Sequence, residues 1–518
     1  MKANRMDNGS AMLYKELMEM ELIRALKIRQ EIGQHGGMLK ADRMDDGGAV
    51  TYKELYLRAV ETEYIRALEI RQEIGQHGSM YLEAVLNGEA EENDIHGMGK
   101  TVTLMFGKSG EKRPLFYGVI DKMQTEKDGE GLVLKLKAWD ATCLMDTEKR
   151  LIAYQDIEMA AGQLMDGIMK AYPGSDYKVN IPEEPVGQFL VQYEETDWEF
   201  LKRLFARYHA ALCPDPAFDG IRIQAGASPD AEPWDWDALP FELSQDFEEF
   251  NNRKRNGFPG ISCLQNMLCK VAAYDIASLG NKICYKGNPW YIKSLERKLE
   301  KGILVNHYHM GQEEGLNVLP YMNPRIAGVS INGKVRAVKR DRIQVDMEAD
   351  SCSGGRSGYY FPYSTVASSP DGSGWYCMPE TGESVRVYFP TDDEKEAYVV
   401  TNIEGHAPEQ GDASDPMGNP NVRNLQTAQG NQVQFTEEGV LISAGNGQGS
   451  ILLKKSGEVA LDAVKDVTLS AGKAINIVAA NEVIMKSQTS IQIANGTGAD
   501  IEMKKGQVQL HGMLINEN

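Results

Sequence analysis

The chain has 518 residues, which is too long for one ordinary hydrophobic core and predicts three or four domains. Its formal net charge of −20 argues against nucleic-acid binding, because that function needs a basic surface. No apolar run approaches 18 residues, so no transmembrane helix is predicted, and residues 1–10 lack the apolar core of a secretory signal. Seven scattered cysteines without a CxxC pair predict reduced thiols, with no disulfide framework or zinc site.

Residues 1–80 contain a duplicated segment, in which residues 28–36 recur word for word as residues 70–78. Residues 14–17 also recur as residues 52–55, with a register change of four residues between the two matches. The second copy continues into a predicted strand, whereas the first runs into a turn-rich stretch. We predict that only the second copy enters a folded core. The alternative is that the first copy forms an extra helix or strand that docks on a neighbouring protein. His35 and His77 lie in the two copies without further metal-ligating neighbours and are interpreted as structural.

Short strands are predicted at residues 101–106, 115–120 and 132–136, where apolar runs alternate with turn residues. Two helices follow, at residues 157–172 and 197–208. In the second helix, Trp198, Leu201, Leu204 and Phe205 recur at helical spacing and predict a buried face.

The region from residue 230 to residue 309 gives weaker signals. Residues 230–240 are acidic and are interpreted as a linker or exposed loop, residues 263–277 as a helix, and residues 293–301 as a basic helix among short strands. His307 and His309 would share one face of a strand. Because no third ligand stands at a suitable spacing, no metal site is predicted.

Residues 189–204 carry a motif that resembles the Q-Y-x-E-[ST]-D-W-x-F-L-x-R-L signature of contractile-tail hub proteins. These are the valine-glycine repeat protein G (VgrG) family of type VI secretion and the baseplate hub of myophages. The matching residues, here called the hub signature, are Gln192, Tyr193, Asp197, Trp198, Phe200, Leu201, Arg203 and Leu204. The resemblance implies that residues 80–320 form the family's tube-like, double-barrel hub domain, with the second copy of the duplicated segment (1–80) leading into it.

Compact β character is predicted from residue 323 to residue 405, with runs at residues 326–329, 334–338, 342–347, 383–389 and 398–403. About five strands in this length suit an OB-fold. The OB signature, Pro379, Gly382, Val385, Val387 and Phe389, resembles the P-x-x-G-[DE]-x-V-x-V-x-F core of the family's OB domain. Because the chain is acidic, oligonucleotide binding is disfavoured. The local aromatic residues are instead predicted to be buried between protomers or against the tube-like domain: Tyr359, Tyr360, Phe361, Tyr363 and Trp375.

Beyond a connector at residues 406–430, apolar pairs recur every eight residues. These octad residues are Ile451, Leu453, Val459, Leu461, Val467, Leu469, Ile475, Ile477, Val483, Met485, Ile491 and Ile493. Each apolar–x–apolar pair places both side chains on one face of a strand. A face two residues wide cannot bury itself, so several chains are predicted to wind around a common axis. We predict a trimeric triangular β-helix over residues 431–518; an ordinary β-meander is the alternative.

The order of tube-like domain, OB-fold and octad repeats is similar to that of the whole VgrG and baseplate-hub family. The resemblance implies a mainly β protein with an α+β N-terminal part, and a homotrimeric spike that caps the inner tube and punctures the target envelope when a sheath contracts. It also implies contacts with baseplate proteins, a PAAR-like tip protein and effector cargo, and only a transient contact with the target membrane. Such a protein is made in the bacterial cytoplasm without a signal peptide and delivered in a tail-like particle. Phage tails, type VI systems and extracellular contractile particles share this arrangement.

An enzymatic function is the alternative, because some relatives carry a peptidoglycan hydrolase before the needle or a toxin after it. The short connector and the end of the chain at Asn518 leave no room for such a domain, and no triad or carboxylate pair stands at catalytic spacing. We therefore predict a non-enzymatic protein without a cofactor. After Ile493 the octad spacing slips, and His511 lacks the second histidine of a His-x-His tip. A blunt end covered by the tip protein is predicted in place of a metal site.

Overall fold

The computed structural model describes residues 49–514 except residues 59, 88–98, 108–111, 130, 256–265, 350–357, 366, 369–373, 376, 402–418, 420, 428 and 497. The first copy of the duplicated segment, Cys263, Cys352 and most of the predicted connector lie outside the described residues. The chain divides into two compact units, Met1–Glu404 and Gly405–Asn518. The fold is predominantly β, as predicted.

The first unit begins with six antiparallel strands around one apolar core. They are β1 (Leu55–Leu57), β2 (Thr62–Glu73), β3 (Ser79–Leu86), β4 (Thr101–Phe106), β5 (Arg113–Asp128) and β6 (Gly131–Asp140). Their order in the sheet is β1-β4-β5-β6-β3-β2, and β1 also lies against β2, so the six strands curl around a core that includes Ile65, Leu82 and Leu134. All three early strand predictions fall within β4, β5 and β6. The second copy of the duplicated segment lies in β2 and the turn that follows it.

Helices and short strands then form a second core. They are β7 (Arg150–Tyr154), α1 (Ala161–Met169), β8 (Asp176–Val179), β9 (Leu190–Glu195), α2 (Asp197–Ala206), β10 (Leu212–Pro214) and β11 (Arg222–Ala225). Both predicted helices exist, although each is shorter than its apolar pattern indicated. Strands β10, β11 and β8 form a small sheet beside α1 and α2.

The third segment extends the first sheet. It comprises β12 (Phe241–Gln245), α3 (Phe247–Arg255), β13 (Met267–Ala273), β14 (Lys282–Tyr285), β15 (Asn288–Glu300), β16 (Ile303–Gly311) and α4 (Glu313–Leu316). Strand β15 pairs with β2 on one side and β16 on the other, which joins the two halves in one 11-stranded sheet. None of the helices in the described part of the chain is long and apolar enough to cross a membrane.

Two helix predictions for this segment were wrong. In place of the helix expected at residues 263–277 the described residues contain strand β13, which pairs with β16. The helix expected at residues 293–301 is part of strand β15, because pairing with β2 and β16 outweighs the helix propensity of a segment rich in Lys, Glu and Leu. Residues 230–240 form the predicted loop, and all but one of them are exposed or half-buried. Trp236 is buried, donates from Nε1 to Asp275 at 2.8 Å, and stacks on Tyr308 at 5.0 Å between ring centroids.

The last part of the first unit is a small barrel. Its strands are β17 (Ser330–Lys339), β18 (Arg342–Met347), β19 (Phe361–Pro362), β20 (Ala367–Ser368), β21 (Gly374–Trp375), β22 (Ser384–Tyr388) and β23 (Tyr398–Thr401). Five of them follow the order β19-β18-β17-β22-β23, and a bridge from Tyr363 to Val399 brings the two ends together. No strand forms at residues 326–329, because Ile326 ends a 3-10 turn, Pro324–Ile326, and the chain turns again so that the Val329 N–H donates to the Ile326 carbonyl at 3.0 Å. Asn323 caps the 3-10 turn by accepting from the Arg325 N–H at 3.1 Å.

The second unit contains two antiparallel meanders. The first comprises β24 (Arg423–Gln426), β25 (Gln432–Phe435), β26 (Gly439–Ala444), β27 (Gly449–Lys454) and β28 (Val459–Ala463). The second comprises β29 (Ser490–Ala494), β30 (Asp500–Lys504) and β31 (Gln507–His511). Residues 464–489 lie between them and form no strand in this single chain. The strands expected at Val467/Leu469, Ile475/Ile477 and Val483/Met485 are therefore not formed here.

Candidate functional sites: a buried junction and an exposed apolar face

Helix α2 begins with a complete capping box. The Thr196 hydroxyl accepts from the Glu199 N–H at 3.1 Å, and the Glu199 carboxylate accepts from the Thr196 N–H at 3.1 Å. Glu194, two residues before Thr196, adopts a φ of 48° at the irregularity where the pairing of β9 with β7 shifts register, just before the helix begins. This local geometry fixes the direction in which the hub signature side chains leave the helix.

Arg203 is the most heavily bonded side chain of the hub signature. Its Nε and Nη2 donate to the two carboxylate oxygens of Glu195, both at 2.7 Å, and its Nη1 donates to Glu394 at 2.7 Å. All three side chains are at most 5 % exposed. Burial alone would lower the pKa of Arg203, but the two carboxylates raise it above the ordinary value, so the guanidinium is charged. Because Glu394 precedes β23, this ion triad joins the signature helix to the small barrel.

Successive side chains of strand β9 pack into two different cores, that of α1 and α2 and that of the small barrel. Leu190 belongs to the core beneath α1 and α2, whereas Val191 belongs to the core of the small barrel, with Tyr193 packed against that core. Ala153 of the paired strand β7 joins the same barrel core, and its N–H donates to the Ala349 carbonyl at 2.6 Å. The two regions predicted as separate domains therefore share one core at this point.

An aromatic cluster completes the junction. Phe189 stands 4.9 Å from Phe361, 5.8 Å from Tyr359 and 6.1 Å from Phe389, measured between ring centroids. The side chains of Val385, Val387 and Phe389 of the OB signature are fully buried around it. The prediction that Tyr359 and Phe361 pack against the preceding domain is confirmed. Pro379 is also buried, and Gly382 turns the chain with a φ of +93°.

The remaining polar residues of the hub signature bind each other. Gln192 is fully buried and donates to Asp197 at 2.9 Å, and Tyr172 donates to the other oxygen of Asp197 at 2.7 Å. Burial, and then the bond to Asp197, raise the pKa of Tyr172. Arg150 approaches the same carboxylate at 3.3 Å. These residues serve packing and positioning.

Trp198 links the helix to the duplicated segment. Its indole ring lies 4.7 Å from the His77 imidazole, centroid to centroid, and His77 contacts the Thr142 hydroxyl through Nδ1 at 2.7 Å. Phe200, Leu201 and Leu204 are buried in the core that α2 shares with α1. All eight hub signature residues therefore lie at one place, and none of them lines an open catalytic cleft.

The octad pairs of β27 and β28 continue an apolar face that begins earlier in the chain. The register sets Ile451 between Ile442 and Leu461, and Leu453 between Val440 and Val459. Strands β24 and β25 add three more members to this face, Leu425, Val433 and Phe435. Sequence analysis missed these earlier positions because their spacing differs from eight residues. The apolar–x–apolar pattern itself would have identified them.

This face is exposed to solvent in the single chain. Ile451 is 38 % exposed, Leu461 51 % and Val459 66 %. Every residue from 461 to 490 is exposed, so the octad residues Val467, Leu469, Ile475, Ile477, Val483 and Met485 have no packing partner among the described residues. An apolar face of this length on one chain is typical of an interaction surface.

The face also continues beyond the change of octad spacing. In β29–β31, Ile491 pairs with Met503 and Ile493 with Ile501, and these pair in turn with Val508 and Leu510. The change of spacing after Ile493 therefore lengthens a turn without moving the apolar side chains off the face. The Nδ1 atom of His511, beside this face, lies 3.2 Å from an Asp500 carboxylate oxygen.

His307 and His309, which the sequence analysis considered as metal ligands, each contact a different side chain. His307 Nε2 contacts Glu300 at 2.8 Å, and His309 Nδ1 contacts the Ser294 hydroxyl at 3.2 Å. Within the described ranges, no group of three or more His, Cys, Asp or Glu side chains could hold a metal ion. Cys213 and Cys269 are free thiols whose pKa burial raises to about 12.

Comparison with known proteins identifies one part of the chain that matches a protein family. Residues 71–212, from β2 to the start of β10, match the phage tail baseplate hub (GPD) family. The sequence has no significant match among curated proteins.

Three solved structures illustrate the likeness. The chain is similar to the E. coli c3393 protein, described as a type VI secretion component resembling the T4 tail proteins gp27 and gp5 (12% identity, 67% of this chain and 98% of that chain, TM-score 0.46). It is also similar to a chain of the Francisella PdpA–VgrG complex (10%, 89% and 95%, TM-score 0.47). The third is the 43 kDa tail protein of prophage MuSo2 from Shewanella oneidensis (13%, 52% and 99%, TM-score 0.38).

Proposed function

We propose that this chain, which carries a phage tail baseplate hub domain in residues 71–212, assembles as a homotrimer into the hub and spike of a contractile injection system. The observation that carries the proposal is the apolar face of the second unit. It is formed by β24–β28 and again by β29–β31, and the octad pairs of residues 464–489 lie between these two meanders in the sequence.

Residues 464–489 supply the strongest support for self-association. They keep an apolar pair every eight residues, yet form no strand and expose every side chain in one chain. Backbone N–H and C=O groups of a strand need a ladder partner, and a regular repeat is best matched by the same repeat in another copy. Three copies wound around one axis give each edge a neighbour and direct all pairs toward a common core.

The proposed mechanism is mechanical. The first unit, with its shared core and buried ion triad, acts as a rigid adaptor toward the inner tube and baseplate proteins. The needle, residues 431–518, transmits the force of sheath contraction onto a narrow tip and punctures the envelope. A PAAR-like protein covers the tip, effector cargo travels with the assembly, and contact with the target membrane is transient. The competing proposal, peptidoglycan hydrolysis, predicts turnover of peptidoglycan that is lost on substitution of a single carboxylate.

The mass of the purified protein in solution tests the assembly. We expect three times the chain mass of 57.5 kDa, and a monomer would refute the proposal. The variant V467D/L469D should dissociate the trimer, because it places six carboxylates in the common core. V478D is the matched control: Val478 is 90 % exposed, follows the Ile475/Ile477 pair out of phase, and should leave the mass unchanged.

A further inference from the structure

The duplicated segment is longer than the identical core of nine residues. Residues 21–36 align with residues 63–78 without a gap, and 14 of these 16 positions are identical. The two differences are Leu22 against Tyr64 and Lys27 against Glu69. The second copy occupies most of β2 and the turn to β3, so its surroundings define what any sequence in that position must satisfy.

The buried positions of β2 are all retained in the first copy. In β2, Ile65, Leu68 and Ile70 are at most 4 % exposed, as is the polar Gln72. Their counterparts in the first copy are Ile23, Leu26, Ile28 and Gln30. Both differences fall at half-buried positions, Tyr64 and Glu69, where a change of side chain is tolerated more readily than in the core.

The turn after β2 has stricter requirements. Gly75 adopts a φ of +69°, and a Cβ on Gly78 would lie 2.8 Å from the Asp140 carboxylate. His77 fills the space between Thr142 and Trp198. The first copy has Gly33, Gly36 and His35 at the same three places, so its sequence meets the same requirements.

The first copy differs where β1 turns into β2. Residues 58–61 connect β1 to β2, and the first copy is shorter by four residues at this point, since Glu19 aligns with Leu57 and Met20 with Thr62. A chain without this connection cannot occupy the positions of β1 and β2 together. The first copy is therefore suited to the β2 position alone.

We propose that the β2 position is a binding site for two alternative strands of the same chain, and that residues 21–36 exchange with residues 63–78 in it. The exchanging strand comes from the same chain, because a tethered strand has a much higher effective concentration than a strand of another molecule. The second copy is the preferred occupant for two reasons. A short turn ties it to β3, and Glu69 lies 3.7 Å from Lys298, which Lys27 would repel.

A disulfide trap tests the exchange. Glu69 and Lys298 are register partners of β2 and β15, so the double variant E69C/K298C should form a disulfide within the chain. In the full chain carrying K27C/K298C, we expect the corresponding disulfide in a lower yield, located by peptide mapping of the oxidised protein. Its absence, or its formation only between two chains, would overturn the proposal.

A stability cycle gives an independent test. Leu26 is the counterpart in the first copy of the buried residue Leu68. If the two strands exchange, each single variant, L68N or L26N, still has one unaltered strand that can occupy the β2 position. We expect each single variant to keep the native circular dichroism spectrum and the double variant L26N/L68N to lose the β1–β6 core. If L68N alone unfolds the barrel as completely as the double variant does, the first copy does not replace β2.

Discussion

Arg203 and Glu394, 191 residues apart in sequence, are joined by a 2.7 Å hydrogen bond in which both side chains are almost fully buried. The bond connects the helix that follows β9 to the turn before β23. With Glu195 as the second carboxylate, the guanidinium fills its donors with charged and backbone acceptors. The two folding regions of the first unit thus share both an apolar core and a charged centre.

Removing the cation of this triad should be strongly destabilising. R203M leaves Glu195 and Glu394 buried without a counter-charge, and we expect a loss of about 3–5 kcal/mol in the free energy of unfolding. Urea denaturation measures it. R325M is the matched control, because Arg325 binds Glu199 at 3.0 Å in a partly exposed pair, which should contribute no more than about 1 kcal/mol. Equal losses in the two variants would contradict the assigned role of Arg203.

A cavity in the aromatic cluster around Phe189 should lower the free energy of unfolding as much as the loss of the Arg203 cation does. Phe189 is 1 % exposed and contacts three aromatic residues of the small barrel. F189A should cost about 3–5 kcal/mol and lower the stability of both regions in one transition, because they share this core. Differential scanning calorimetry distinguishes this from two separate transitions. F247A, at a position 52 % exposed, should change the melting temperature little.

Gly118 permits a close approach between β5 and β6. A Cβ at this position would lie 2.0 Å from the Trp139 carbonyl oxygen and 2.8 Å from the Phe116 ring. We expect G118A to separate the two strands and to yield little folded protein, as judged by soluble expression and near-UV circular dichroism. G167A in helix α1 is the control. A Cβ there meets no atom within 4 Å, and alanine favours the helix. Normal folding of G118A would show that the strands can shift apart.

Acidification should weaken the junction of β2 and β15 through Glu296. Burial opposes ionisation of this carboxyl, but its bonds to Lys298 and Arg71 outweigh burial and lower its pKa from 4.5 to about 2. Because the folded pKa is depressed, the stabilisation is present above the unfolded value and is lost as the pH falls from 4.5 toward 2. E296Q should be less stable at neutral pH and show a flatter urea midpoint across that interval. A pH dependence identical to that of the wild type would contradict this assignment.

The amino-acid sequence by itself determined the local elements whose patterns are self-sufficient. The apolar stripe of α2 predicted the helix, and the pattern in residues 342–347 predicted β18 with its correct bounds. The octad pairs predicted an apolar face, and the hub signature predicted the baseplate hub family that residues 71–212 match. Each of these signals depends on residues that are close in sequence.

Only the tertiary structure decided where those faces pack. Residues 293–301 favour a helix, yet become β15 because β2 and β16 supply ladder partners that no local pattern reveals. Glu394 became a partner of Arg203 through a contact across 191 residues. The octad residues remain exposed for the converse reason, since the strands that would complete their ladder belong to other copies of the chain in the trimer we propose. A pattern fixes which side of a strand is apolar, and long-range pairing decides what covers it.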